Sequence, residues 1–201
     1  MGRLSAAALD AVTIDAYGTL LTVVDPVSSL HDLLPAHDRD SIENAFRLES
    51  AFYREHSSKG SGEGELAVLH ERSVAVFNDA LGSSLSPAAY TGAFAFELLP
   101  GVRDALLVLN RLGLSLAIVA NWDVSLRDRL EEVGIASFFS VVVPAARKPA
   151  PDGIVRALEL LSVQPSRAVH VGDDGADEQA AHAAGVQFLP APLPEAVAAL
   201  T

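Results

Sequence analysis

The sequence predicts an α/β fold, with a doubly wound, mostly parallel sheet and an inserted helical cap. Short apolar runs rich in β-branched residues alternate with segments of helical periodicity, as expected for repeated strand–helix units. One long segment near the N-terminus has helical periodicity alone and interrupts this alternation. With 201 residues, 50% of them hydrophobic, the chain is long enough to bury the core of one such domain.

Composition argues against several functional classes. The formal net charge of −12 disfavours a nucleic-acid-binding surface, which needs clustered Lys and Arg to contact phosphates. The chain has no long uninterrupted apolar run, so we expect no transmembrane helix. It has no cysteine, which excludes disulfides, thiolate metal sites and cysteine nucleophiles. We also expect no signal peptide, because the first strand begins so early, and we therefore predict a cytoplasmic protein.

The first predicted strand, residues 11–14, is the element around which we place the site. It is a β-branched apolar run that ends at Asp15, and Gly18 then permits a sharp turn. Open parallel sheets bind their ligands at the carboxyl ends of the strands, so Asp15 lies where chemistry is expected. The alternative is that Asp15 only brackets the following loop, and this strand alone does not separate the two.

Residues 22–98 form the predicted cap. Apolar residues recur at helical spacing in two runs, separated by a loop at residues 57–64 that is rich in Ser and Gly. Ser86 followed by Pro87 predicts the start of another short helix, with Ser86 as its N-cap. We expect these helices to form a module inserted into a core made of the remaining residues, 1–21 and 99–201.

From residue 99 onward, strands and helices alternate again. The predicted helices span residues 102–112, 124–133, 154–161, 178–184 and 195–200, and Gly113 ends the first of them. The predicted strands span residues 114–120, 140–143, 168–171 and 186–189. Right-handed crossovers between such units place their strands in one mostly parallel sheet.

Polar residues that follow these strands predict a binding site. The set consists of Asp15, Asn121, Asp123, Lys148, Asp173, Asp174 and Asp177. The carboxyl ends of parallel strands share one sheet edge, so these groups can meet although they are far apart in sequence. Several carboxylates with one lysine suit Mg²⁺, which prefers oxygen ligands, together with a small anionic substrate. The structural alternatives are that Asp123 and Asp177 cap helices and that Lys148 is a surface residue.

Four segments resemble, in order, the motifs of the haloacid dehalogenase-like (HAD) hydrolase superfamily. They are residues 15–20 (DAYGTL), 119–121 (VAN), 148–151 (KPAP) and 172–177 (GDDGAD). Residues 99–102 (LPGV) resemble the point where that family's chain returns from the cap to the core. The resemblance covers nearly the whole chain and implies a Rossmannoid core with a small helical cap.

The resemblance implies nucleophilic catalysis by a carboxylate. Asp15 would attack phosphorus, or carbon in a dehalogenase, and water would then hydrolyse the aspartyl intermediate. Lys148 and Asn121 complete the implied catalytic set, and Lys148 would neutralise the charge on Asp15 and on the substrate.

The resemblance also implies a Mg²⁺ site. In the family's phosphatases the metal is held by the nucleophile, by the main-chain carbonyl two residues later and by an acidic residue of the fourth motif. Here these groups are Asp15, the carbonyl of Tyr17 and Asp173, with Asp174 or Asp177 contributing through water.

Two residues depart from the phosphatase pattern. HAD phosphatases carry a second Asp two residues after the nucleophile, as general acid and base, and this chain has Tyr17 there. A phenol with a pKa of about 10 serves poorly near neutral pH, and losing such a group lowers the rate by about 10²–10⁴-fold. Ala120 replaces the Ser or Thr whose hydroxyl holds the transferring phosphoryl group.

Other features resemble the 2-haloacid dehalogenases, which use no metal and need no second Asp. Residues 15–19 have their form of the first motif, and Arg47 lies near the position of their halide-binding cap arginine. Against this, their Ser before Asn is Ala120 here, their Tyr after the motif lysine is Ile154, and the fourth motif is acidic as in phosphatases.

Three functional hypotheses follow. The first, which we predict, is a Mg²⁺-dependent phosphatase acting on a small phosphorylated metabolite, weakened by the two departures. The second is a metal-independent dehalogenase, and the third is a catalytically degenerate binding protein of the same fold. The candidate substrate contacts are Tyr17, Arg47, Ala120 and Trp122.

Overall fold

The strands of the fold are taken from a computed structural model, which describes residues 6–200. They are β1 (Ala11–Ile14), β2 (Leu21–Val23), β3 (Phe96–Leu98), β4 (Ser115–Val119), β5 (Val141–Val143), β6 (Ala168–Gly172) and β7 (Gln187–Pro190). Five of them form a parallel sheet in the order β5–β4–β1–β6–β7, whereas β2 pairs with β3 in antiparallel fashion. The predicted doubly wound α/β fold is confirmed.

Helices cover both faces of this sheet or form the inserted segment. They are α1 (Pro26–Leu33), α2 (Arg39–His56), α3 (Glu63–Leu81), α4 (Pro87–Gly92), α5 (Val102–Arg111), α6 (Leu126–Glu132), α7 (Asp152–Leu161), α8 (Gly175–Ala183) and α9 (Leu193–Ala198). Separate apolar clusters on the two sides of the sheet show that it is buried on both faces. Double-sided burial explains why β1, β4 and β6 have nearly continuous apolar runs.

The register of the three central strands places the predicted motifs at one edge. Ile14 of β1 lies beside Ile118 of β4 and Val171 of β6. The residues that follow these positions therefore leave the sheet at the same level, and the amide of Asp15 still bonds the carbonyl of Val171 at 2.9 Å. This edge is the carboxyl end of every strand in the parallel sheet.

Helices α1–α4 have a hydrophobic cluster of their own. Its fully buried members are Leu30, Ile42, Ala45, Val74, Phe77 and Tyr90. The ends of this segment are joined by β2 and β3, in which Leu21 pairs with Leu98. The sequence analysis did not predict these two strands, because three residues are too few to show a period. We keep the division into a core and a cap of residues 22–98 as a proposal.

Two predicted helix ends are confirmed and four helix starts are corrected. Ser86 caps α4 as predicted, since its hydroxyl accepts from the amide of Ala89 at 3.2 Å. Gly113 follows α5 with the positive φ of 74° expected of a glycine that ends a helix. Helix α6 begins two residues later than predicted, and α7 and α9 begin two residues earlier. Helix α8 begins three residues earlier, because Asp174 acts as its N-cap.

None of the helices within residues 6–200 is both long and apolar enough to cross a membrane. We predicted no signal peptide at the N-terminus, and residues 1–5 of that region lie outside the described part of the chain.

Candidate active site

Asp15 lies at the end of β1 in contact with Lys148. Its side chain is almost fully buried, and Oδ1 is 2.5 Å from the ammonium nitrogen of Lys148. The same ammonium also binds Oδ1 of Asp177. The structure therefore brings together three of the predicted residues, although they come from three different strand ends.

Asn121 fixes the main chain of Lys148. Its Oδ1 accepts from the Lys148 amide at 2.7 Å, and its Nδ2 donates to the Lys148 carbonyl at 2.8 Å. Both polar groups of the side chain are thus used to hold the loop that carries the lysine. Asn121, predicted as a catalytic residue, has a positioning geometry here.

Three carboxylates form a group with the geometry of a cation site. One oxygen from each of Asp15, Asp173 and Asp177 can be chosen so that all three lie within 4.8 Å of one another. Gly18, with a φ of 79°, lies against Asp173, and a Cβ atom there would overlap that carboxylate. A Cβ at Gly172 would likewise overlap Asp177. Two missing side chains therefore make room for two of the three acids.

Asp174, another predicted metal ligand, is not a member of this group. Its carboxylate accepts from the amides of Ala176 and Asp177 at 2.8 and 3.1 Å and caps helix α8. The amide of Asp174 in turn donates to Oδ2 of Asp177 at 3.4 Å, which completes a capping box. The two acids thus have different contacts: Asp174 caps helix α8, and Asp177 binds Lys148.

Burial and the neighbouring charges shift the pKa values of the site residues. Burial, opposed by Lys148 and reinforced by Asp177, raises the pKa of Asp15 to about 7. Burial would lower the pKa of Lys148, but the two carboxylates outweigh it and raise the pKa. Burial and the two neighbouring acids raise the pKa of Asp173. Lys148 binds two of the three carboxylates, so a further cation would relieve the repulsion that remains among them.

Aromatic side chains lie beside this group. Tyr17 is 48% exposed, and its ring centroid is 6.3 Å from that of Trp122. The Trp122 ring is buried and lies 5.3 Å from that of Phe96. A half-exposed phenol next to a buried indole is a suitable wall for a small ligand.

The other two candidate substrate contacts differ in their surroundings. Ala120 directly follows β4 at the edge that carries the site, and its side chain is buried within the hydrophobic core cluster. Arg47 lies on the exposed side of α2, where its guanidinium donates to Asn44 at 2.7 Å. Among the contacts of the described residues, none joins Arg47 to the carboxylate group.

Two polar side chains near the motifs were not predicted from the sequence. His170 of β6 is fully buried, with Nε2 2.9 Å from Oδ1 of Asp177. A histidine in an otherwise apolar strand, just before the acidic motif, was the available signal. The hydroxyl of Thr19 is buried and, within residues 6–200, has no hydrogen-bond partner.

Contacts between the helical segment and the turn after β4 were not predicted from the sequence either. Tyr53 of α2 donates to Oδ2 of Asp123 at 2.7 Å, and Nε2 of His70 lies 3.6 Å from the same oxygen. Ser57 donates to the carbonyl of Asn121 at 2.9 Å. The helical segment thus touches the turn that holds Lys148.

Most of this chain matches a known protein family. A family model described as haloacid dehalogenase-like hydrolase matches residues 9–185. The chain is 31% identical over 185 residues to haloacid dehalogenase-like hydrolase domain-containing protein 3 of Xenopus laevis, which covers 81% of this chain and 75% of that protein.

Two further proteins are similar to parts or all of the chain. It is 31% identical over 126 residues to a phosphoglycolate phosphatase of Pseudomonas putida, a match that covers 60% of this chain but only 43% of the phosphatase. The solved structure of the L-2-haloacid dehalogenase RSc1362 superposes with a TM-score of 0.74 over 96% of this chain and 98% of that one. At 19% identity, the likeness to that structure shows the fold alone.

Proposed function

Because the chain belongs to the haloacid dehalogenase-like hydrolase family, we propose that this hydrolase is a Mg²⁺-dependent phosphatase for a small phosphorylated metabolite. The observation that carries the proposal is the group of Asp15, Asp173 and Asp177, whose oxygens converge within 4.8 Å. The acidic fourth motif is the phosphatase pattern, and the similarity to a phosphoglycolate phosphatase agrees with it. We include a cytoplasmic location in the proposal.

The donor set fits Mg²⁺. All three groups offer hard carboxylate oxygens, and the two glycines leave a space that a Cβ would fill. Asp15, Asp173 and the main-chain carbonyl of Tyr17 would hold the ion, with Asp177 contributing through water. When bound, Mg²⁺ would neutralise part of the charge on the phosphoryl oxygens.

Asp15 is the proposed nucleophile. Its carboxylate oxygen forms a bond to phosphorus as the bond from phosphorus to the leaving oxygen breaks, and water then releases inorganic phosphate from the aspartyl phosphate. Lys148 favours the ionised form of Asp15 that this attack requires. Asn121 keeps the lysine in place through its two bonds to the lysine main chain.

Tyr17 sets the expected weakness of the reaction. The half-exposed phenol stands where a phosphatase carries its acid/base carboxylate. Tyr17→Asp should therefore raise kcat by about 10²-fold or more for substrates with poor leaving groups. For p-nitrophenyl phosphate, whose leaving group needs no proton, the gain should be much smaller. An equal gain on both substrates would contradict this role for the position.

The central experiment is a hydrolysis panel with and without Mg²⁺. It includes 2-phosphoglycolate, p-nitrophenyl phosphate and 2-chloropropionate, and follows release of phosphate or chloride. We expect Mg²⁺-dependent phosphate release that Asp15→Asn abolishes. Asp173→Asn should also remove the rise in melting temperature caused by Mg²⁺, whereas the matched variant Asp174→Asn should keep it, because asparagine also caps helices.

The main competing function is a metal-free dehalogenase, which Tyr17 in place of the second Asp favours. Chloride release from 2-chloropropionate without Mg²⁺, and no phosphate release with it, would replace the phosphatase proposal. A protein that binds Mg²⁺ but releases neither ion would favour the degenerate alternative.

A further inference from the structure

We propose that His170 is a positioning residue, which fixes the carboxylate of Asp177 so that Lys148 is held against Asp15. The inference rests on the proposed function in taking Asp15 as the nucleophile. His170 does not touch Asp15, so any effect it has on the reaction is transmitted through other side chains.

The position of His170 in the sheet is unusual for its residue type. It lies in β6, where its neighbours Val169 and Val171 are fully buried, and it pairs with Thr13 of β1 and Phe188 of β7. Histidine is only moderately common in fully buried positions, whereas valine and isoleucine are typical of such strands. A polar side chain here needs partners that satisfy both ring nitrogens.

Both nitrogens of the His170 ring have partners. Nδ1 lies 2.9 Å from the hydroxyl of Thr13, and Nε2 lies 2.9 Å from Oδ1 of Asp177. The same Asp177 oxygen binds the Lys148 ammonium, which reaches Asp15. The contacts therefore form a closed path that leaves β1 at Thr13 and returns to β1 at Asp15, two residues later and on the same face of the strand.

The ion pair with Lys148 sets the direction of the bond between His170 and Asp177. Oδ1 of Asp177 binds the Lys148 ammonium, and a carboxylate in such a pair is ionised and only accepts. Nε2 of His170 therefore carries the hydrogen of this bond. On the other side of the ring, the Thr13 hydroxyl lies 2.9 Å from Nδ1 and 3.4 Å from the carbonyl of Val169.

The path explains what holds Lys148 in place. A lysine side chain has four rotatable bonds and no preferred fork geometry, so its direction depends on its acceptors. Asp177 provides one acceptor, and without His170 the oxygen facing the lysine would lose its neutral donor. Residues that orient a functional group in this way commonly change activity by about 10–100-fold when they are removed.

The test uses the 201-residue chain without metal and two substitutions of His170. His170→Gln keeps a side-chain N–H donor, whereas His170→Leu fills much of the same volume without one. Nitrogen-15 NMR reads the ring tautomer and the ammonium signal of Lys148, which is assigned by its loss in Lys148→Met. We expect the Nε2–H tautomer in the wild type and a slowly exchanging Lys148 ammonium that His170→Gln retains and His170→Leu loses.

Two results would overturn the inference. One is the Nδ1–H tautomer in the wild type, which needs no variant and is decisive even if His170→Leu does not fold. The other is an unchanged Lys148 ammonium signal in folded His170→Leu. In turnover, His170→Leu should lower kcat by about 10–100-fold at nearly constant KM, with rescue by His170→Gln. If the wild type shows the expected NMR signals but no phosphatase activity, the proposed function fails and the positioning role stands.

Discussion

Asp177 at the edge of the sheet and Glu49 in the helical segment are both buried carboxylates, but they have different donors. Asp177 is bound by the imidazole of His170 and the ammonium of Lys148, whereas Glu49 is bound by the hydroxyls of Ser73 and Tyr90. Burial acts to raise the pKa of both acids. The donors of Asp177 outweigh burial and lower its pKa to about 2, whereas those of Glu49 do not, and its pKa stays raised.

The difference shows that an imidazole and an ammonium together outweigh the burial of Asp177, so this acid keeps its charge. The hydroxyl donors of Glu49 offset only part of the effect of burial on its pKa. The sheet edge thus retains charge that chemistry can use. In the helical segment, the same residue class serves to join α2, α3 and α4.

The largest expected effect on the free energy of unfolding comes from removing the Lys148 ammonium. Lys148→Met leaves Asp15 and Asp177 buried without their partner, and breaking such a pair typically lowers the free energy of unfolding by about 3–5 kcal/mol. We expect that loss in urea unfolding at pH 7, and a smaller loss when Asp15→Asn is added. The exposed Lys59, changed to Met, is the matched control. A loss of less than about 1 kcal/mol would mean that the ammonium does not hold these charges.

An intermediate effect is expected from removing a tyrosine hydroxyl that donates to a buried acid. Tyr53 donates to Asp123, and burial of Asp123 is outweighed by bonds from His70, Ser125 and Tyr53, so that its pKa is lowered. Tyr53→Phe removes a bond to a charged acceptor and should lower the free energy of unfolding by about 1.5–3 kcal/mol.

The matched control for Tyr53→Phe is Tyr90→Phe, which removes the bond to Glu49. The raised pKa of Glu49 makes it a weaker acceptor, so the loss should be about 1 kcal/mol. Urea unfolding of both variants measures the difference. A larger loss for Tyr90→Phe than for Tyr53→Phe would reverse the proposed comparison.

The smallest effect concerns Glu49 itself and depends on pH. Its pKa is raised in the folded protein, whereas in the unfolded chain it is about 4.3, so folding favours the protonated acid. The stability that protonated Glu49 contributes is therefore complete below its pKa in the unfolded chain. It is lost as the pH rises through its pKa in the folded protein. Glu49→Gln should therefore be more stable than wild type by about 1 kcal/mol at pH 8 and equal to it near pH 4.

Unfolding curves at both pH values test the Glu49 prediction, with the exposed Glu55→Gln as control on the same helix. If Glu49→Gln were less stable than wild type at pH 8, the carboxylate would be ionised and stabilising in the native state. The contrast with Asp177 would then disappear.

Sequence reasoning was sufficient for the features that depend on strand ends. Asp15, Lys148 and Asp173 follow separate strands, and parallel topology alone brings such residues to one edge. Ser86 and Pro87 form a local helix start whose bonds span three residues, so it was readable as well. These predictions rest on short-range patterns or on the direction of the strands.

The residues that were missed depend on where elements begin and end, or on contacts between distant parts of the chain. His170 meets Asp177, seven residues later, because β6 ends at Gly172 and α8 begins at Gly175. The roles of the neighbouring acids Asp174 and Asp177 likewise depend on where that helix begins. The bond from Tyr53 to Asp123 joins residues 70 positions apart, and no local pattern marks such a pair.

The two glycines beside the carboxylates also determine how this site can be redesigned. Gly18 and Gly172 each lie where a single added carbon would collide with an acid of the group. A randomised library aimed at new substrates should therefore leave both codons fixed. Diversity is better placed at Tyr17, because its ring is half exposed. Gly18, which must stay fixed, and Tyr17, which can be varied to change specificity, are thus adjacent residues of one turn.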